Sequence, residues 1–93
     1  MADLGHMKDA VWDKAKPIRG KDPSMYRQDP YRNQMYYPSY GKDTDQGWEI
    51  DHIKPKSLGG SDHIRNLQAI NTAKNRELGA SRRKRSRHSQ EKR

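Results

Sequence analysis

Apolar residues are sparse along this chain, and their spacing divides it into three stretches. Val11, Trp12, Ala15 and Ile18 recur at the intervals of one helix face, which Pro17 would interrupt; the same residues also fit an extended segment. Between Lys21 and Lys42, Asp22-Pro23, Asp29-Pro30 and Pro38 break any helix, and five tyrosines lie among them. This reads as a turn-rich stretch with a small hairpin around Tyr31-Arg32-Asn33-Gln34-Met35. From Gly47 the pattern sharpens. Trp48-Glu49-Ile50 alternates apolar and polar as a half-buried strand does, and the strand enters a loop at His52. The loop carries Pro55, Gly59-Gly60, Ser61 and Asp62. Asn66 to Ile70 forms a second extended piece. Asn71 or Thr72 can then cap a helix running to Glu77 or Leu78, with Gly79 as its left-handed stop. The order is strand, loop, strand, helix.

Composition limits how such a chain can be held together. It has 93 residues, 29% of them apolar, with no Phe and no Cys. One small domain with a minimal core follows, and disulfides and cysteine-ligated zinc are excluded. No stretch approaches the roughly 20 apolar residues of a membrane span, and no apolar run marks a secretory signal. The missing cysteines suit a reducing compartment, cytoplasmic or nucleoid-associated, although a secreted effector also fits. Residues 1–7, ending Gly5-His6-Met7, read as a leader left by expression and outside the fold. The expected organisation is a domain over 8–80 and a tail over 81–93.

Charge is distributed unevenly between those two parts. Residues 81–93 hold seven Lys or Arg against one Glu, so +6 of the formal +8 lies there and the body is nearly neutral. A run such as Arg82-Arg83-Lys84-Arg85-Ser86-Arg87 has nothing to pack, which predicts a disordered basic tail. A polyanion is its natural partner, because contact with phosphates releases counterions whatever the base sequence. A solubilising tail or a localisation signal is the alternative reading.

Four polar residues carry the candidate chemistry: Asp51, His52, Asn66 and Asn75. On the expected helix, Asn71, Asn75 and Leu78 share one face, so Leu78 would turn the Asn75 amide inward. Neighbours in a strand point to opposite faces, so Asp51 and His52 serve one centre only if the strand bends or ends between them and the loop. With the second strand folded back and the helix packed across both, Asp51 and Asn75 would offer two oxygens to a hard cation such as Mg²⁺. His52 would stand beside them as a base near neutral pH. Each residue taken alone has an ordinary structural role available, as a cap, a backbone partner or a solvated side chain.

Taken together, Trp48-Glu49-Ile50-Asp51-His52-Ile53-Lys54-Pro55, then Gly59-Gly60-Ser61-Asp62, Asn66-Leu67-Gln68 and Asn75 resemble the HNH nuclease motif over about residues 47–79. The resemblance implies an α+β fold: a small ββα-metal domain, here with a Tyr-rich N-terminal extension and the basic C-terminal tail. It implies an endonuclease that hydrolyses phosphodiester bonds of DNA, rather than RNA, leaving 5′-phosphate and 3′-hydroxyl ends. His52 would be the general base, Asn66 the orienting residue, and Asp51 and Asn75 the metal ligands, with Asp62 next in line. Asn at the third motif position, an HNN variant, favours Mg²⁺ or Mn²⁺ over Zn²⁺ because it supplies oxygen. The cysteine pairs that brace many HNH domains are missing, which leaves Trp12, Trp48 and the tyrosines to hold the scaffold. Lys54, Lys56 and Arg76 are placed to meet flanking phosphates, as are Arg82, Arg83, Lys84 and Arg85 of the tail. Two alternatives share the scaffold. One is a module that grips nucleic acid without cutting it; the other is the nuclease part of a larger toxin assembly, neutralised by an acidic inhibitor.

Overall fold

A computed structural model describes residues 4–79. Arg82, Arg83, Lys84 and Arg85, with the rest of the basic tail, lie outside the described residues. Leu4–Met7 forms a 3-10 turn that runs into helix α1, Lys8–Lys14. Leu4 and Met7 pack against the core. Composition could not reveal this, since two isolated apolar residues acquire meaning only from what they touch.

Helix α1 buries Val11 and Trp12 and stops at Ala15, whose backbone is already extended. Lys16 precedes a proline and is steered out of the helical region, so the chain continues as strand β1, Lys16–Pro17. Both readings of the 8–20 stretch therefore hold, one for each half. β1 pairs antiparallel with β2, Tyr26–Gln28, and β2 with β3, Gln34–Tyr36. The β2–β3 hairpin turns over 29–33, so the Tyr31 to Met35 stretch contributes its turn and only part of one strand. Tyr26 and Tyr36 face each other across the pair with their rings stacked at 5.1 Å.

The second sheet is the hairpin of β4, Trp48–His52, and β5, Leu67–Asn71, in register from Trp48↔Asn71 to His52↔Leu67. Helix α2 covers residues 72–79. Asn71 caps it, its Oδ1 accepting from Lys74 N at 3.1 Å. Gly79, expected as the left-handed stop, is itself helical; a glycine permits a helix end without requiring one. Antiparallel partners share a face, so Trp48 and Ile50 lie with Ala69 and Asn71 on one side of the hairpin, and Glu49 and Asp51 with Gln68 and Ile70 on the other.

The first of those faces builds the core. Trp48 is fully buried, with the rings of Trp12 at 4.9 Å and Tyr40 at 4.8 Å. Val11, Met35, Leu67 and Ala69 complete the cluster. Both indoles satisfy their N–H groups, Trp48 on Tyr37 O at 3.1 Å and Trp12 on Pro23 O at 3.0 Å. The aromatic residues thus supply the packing that a chain without Phe or Cys requires.

A buried carboxylate fastens the two sheets together. Asp29 is 3% exposed and accepts from Tyr31 N and Asn33 N within its own turn. Its second oxygen accepts from Asn71 N at 3.1 Å, while the Asn71 amide donates to Gln34 O and Asp45 O. The N-terminal hairpin is therefore hydrogen-bonded to the residue that starts α2. The architecture is α+β, an aromatic-centred extension supporting a strand–loop–strand–helix unit.

Candidate active site

The loop between β4 and β5 is shaped by backbone constraints. Gly59 has φ 91°, in the left-handed region, and a Cβ on Gly60 would stand 1.8 Å from Lys54 O. The first position needs glycine for its conformation and the second for close approach, which explains why the two occur as a pair. Asn66 then ties the loop across its neck: Oδ1 accepts from Lys54 N at 2.8 Å, and Nδ2 donates to Ser61 O at 2.8 Å and Lys54 O at 3.1 Å. All three bonds go to backbone, so Asn66 orders the loop and does not touch the His52 ring. His63 also has a structural task here, its Nδ1 accepting from Arg65 N to cap the 3-10 turn Ile64–Asn66.

His52 is the last residue of β4, with its side chain 21% exposed. Its Nε2 lies 2.7 Å from Oδ1 of Asp62, a loop residue that also approaches Lys56 Nζ at 3.4 Å. The hydrogen bond from His52 holds the Asp62 carboxyl below its ordinary range, with Lys56 adding to the effect. An ionised carboxylate can only accept, so Nε2 carries the shared proton and Nδ1 of the neutral ring keeps its lone pair.

Asp51 leaves β4 on the opposite face. The strand runs regularly through both residues instead of bending between them, as the pairing Asp51↔Gln68 and His52↔Leu67 requires. Asp51 Oδ2 accepts from Gln68 Nε2 at 3.3 Å. Asn75, from α2, donates to Glu49 Oε1. Glu49, Asp51 and Asn75 therefore occupy one side of the hairpin, with His52, Asp62 and Asn66 gathered at its loop end.

Two residues of this arrangement escape sequence reasoning in their actual places. Glu49 reads as an ordinary outward strand position, and only its period-two relation to Asp51 puts it on the same face. Asp62 reads as part of the Gly-Gly-Ser-Asp turn, and its pairing with His52 depends on how the loop folds back. Of the expected phosphate contacts, Lys56 is paired with Asp62, and Arg76 lies 2.9 Å from Asp43 in an exposed pair. Exposed pairs of this kind are weak and exchange readily for another anion.

The donor set on the Asp51 face fits a hard divalent ion. It offers oxygen from two carboxylates and one amide and contains no thiolate or imidazole. No group of three or more His, Cys, Asp or Glu comes together among the described residues.

The structure brings together a strand–loop–strand–helix unit with a histidine at the strand end, an asparagine locking the loop and oxygen donors beside the helix. Residues 39–80 match the family model of the HNH endonuclease, a nuclease-type domain. No curated protein and no solved structure matches the chain.

Proposed function

We propose that the protein is a metal-dependent endonuclease that hydrolyses phosphodiester bonds of DNA. The observation that carries this reading is the contact between His52 Nε2 and Asp62 Oδ1 at 2.7 Å, which in the neutral ring leaves the Nδ1 lone pair for a base's work at the loop end of the hairpin. His52 takes the proton of the attacking water at Nδ1. Asp62 fixes the tautomer and orientation of the ring and stabilises the imidazolium that results. Asn66 keeps Asp62 in reach by closing the loop through Lys54 and Ser61.

Asp51 and Asn75 are the residues that would hold a divalent ion, Mg²⁺ or Mn²⁺, in the HNN arrangement, with Glu49 orienting Asn75 through its amide. Bound there, such an ion would polarise the scissile phosphate and stabilise the leaving 3′ oxygen. Lys54 has no acidic partner among the described residues and is the loop cation free to meet a flanking phosphate. Lys56 and Arg76 reach phosphate by exchanging their exposed carboxylate partners.

The test is cleavage of supercoiled plasmid with Mg²⁺ or Mn²⁺, with EDTA and His52→Ala as controls. Nicked or linear product with 5′-phosphate ends, lost in both controls, is expected. DNA binding without cleavage under any divalent ion would overturn the reading in favour of a non-cleaving binding module.

A further inference from the structure

A pocket of about 470 Å³ opens beside the Asp51 face, and its cationic wall comes from the part of the chain upstream of the family match. Lys14, Lys16 and Arg32 line it, together with Gln68 and Ile53. Gln68 is the residue that donates to Asp51, so the pocket adjoins the Asp51 side of the candidate site. Ile53 is 55% exposed, an apolar wall presented to solvent.

The pocket carries three cations against one acid, a formal charge of +2. That acid, Asp29, is buried and its carboxylate oxygens accept from Tyr31, Asn33 and Asn71, not from the cations. Lys14 is anchored by the carbonyls of Ile64 at 2.6 Å and Leu67 at 2.5 Å, which fix its ammonium in place without neutralising it. Neither Lys16 nor Arg32 is in an ion pair among the described residues.

Arg32 supplies a second, independent observation. Its φ is 70°, and it is the only non-glycine with positive φ among the described residues. Asparagine or glycine would occupy that turn position at lower cost, so an arginine there is a strained choice at a position that lines the pocket.

We infer that this pocket binds the phosphodiester backbone of the DNA strand next to the scissile phosphate, and that the N-terminal extension is therefore a substrate-binding element as well as a scaffold. The inference rests on the nuclease reading for the position of the scissile bond. The volume is in the range of sites that take one small ligand, room for a nucleotide unit, and the three cations come from three different elements, α1, β1 and the β2–β3 turn.

The test uses the full chain with Lys16→Gln and Arg32→Gly, made singly and combined, and Lys42→Gln as a control for the loss of one positive charge outside the pocket. Arg32→Gly relieves the positive φ, so loss of the fold is not the expected consequence, and thermal melting checks this. Lys14 is left alone because its carbonyl contacts hold α1 to the hairpin. Binding of a short fluorescent duplex is followed by anisotropy in EDTA over a range of salt. The double variant should bind more weakly, with the slope of log affinity against log salt shallower by about 0.9 for each phosphate contact removed. Lys42→Gln should leave the slope unchanged.

An unchanged slope in the double variant would overturn the proposal. So would binding of inorganic phosphate or a mononucleotide that depends on Lys16 and Arg32 while duplex affinity does not, since the pocket would then serve a free anion. If the parent never cuts DNA but the slope shifts as expected, the nuclease reading fails and the pocket assignment stands. If the parent cuts and the slope does not move, the reverse holds.

Discussion

His52 Nε2 lies 2.7 Å from Asp62 Oδ1, joining the end of a regular strand to a loop residue ten positions on. The pair is the only polar contact of the His52 ring among the described residues, and the loop that delivers Asp62 is closed by Asn66. A base, its orienting carboxylate and the residue that positions the carboxylate thus form one connected unit. Three of the predictions below probe different links of it.

Asp62→Asn should lower the cleavage rate by about 10- to 100-fold, the usual consequence of losing a partner that orients an imidazole. The carboxamide can present a donor to Nε2, which selects the wrong tautomer. His52→Ala should cost about 10² to 10⁴ in rate, with duplex affinity nearly unchanged, because the ring's polar partner, Asp62, lies in the loop and carries the orienting role, not a phosphate contact. Single-turnover cleavage combined with metal-free binding separates the two effects. Parental turnover in the His52 variant would remove His52 from the mechanism, and parental turnover in the Asp62 variant would remove the carboxylate.

The same pair has a pH signature. Because the folded protein holds the Asp62 carboxyl below its ordinary value, the contact stabilises the loop at any pH above the unfolded carboxylate pKa of about 3.9. It is lost only as pH falls below that, through the folded value. The difference in melting temperature between parent and Asp62→Asn should therefore shrink as pH falls below about 4. Asp62 is partly exposed, so the effect should be small; a difference that does not shrink below about pH 4 would contradict the assignment.

Asn66→Ala removes three hydrogen bonds to loop backbone, each worth about 1 kcal/mol net at most in this exposed setting. The expected result is a protein that still folds but has lost amide protection in residues 53–66 and with it most of its turnover. Hydrogen exchange read beside activity checks this. Full protection of the loop in the variant would show that Gly59, Gly60 and the 3-10 turns set its shape unaided.

Much of the hairpin–helix unit was legible because its signals are local. Alternation marked Trp48-Glu49-Ile50, the Gly-Gly pair marked the loop, and Asn71 announced the helix start it caps. The N-terminal extension was less legible for a physical reason. Its strands have two or three residues each and are held by contacts far apart in sequence, such as Asp29 with Asn71 and Trp12 with Trp48. No periodicity can appear in segments that short. The site divides in the same way: strand and helix positions followed from spacing, whereas Asp62 against His52 and Glu49 against Asn75 depend on tertiary placement. Trp48→Ala tests the scaffold directly and should cost about 3 to 5 kcal/mol in chemical denaturation, because it empties the centre of the aromatic cluster.

The face of β4 that carries Asp51 leads to the last prediction. Glu49 and Asp51 share that face, and Asn75 reaches it from α2, where its Nδ2 is spent on Glu49 and its Oδ1 has no hydrogen bond among the described residues. The amide is thus oriented with its nitrogen toward the carboxylate and its oxygen free, the arrangement a hard cation requires of an asparagine ligand. Titration calorimetry with Mn²⁺ should show binding to the parent, none to Asp51→Ala, and affinity reduced by about 10-fold or more in Asn75→Ala. Glu49→Gln should weaken binding less than Asp51→Ala, because a carboxamide can still hold the Asn75 amide through its oxygen. Added Mn²⁺ should also raise the parent's melting temperature in proportion to site occupancy, and leave that of Asp51→Ala unmoved. Equal Mn²⁺ affinity in parent and Asp51→Ala would place the ion elsewhere, with Asp62 the remaining candidate. Since Asp62 is already engaged by His52 and Lys56, metal bound there should then abolish the pH signature described above.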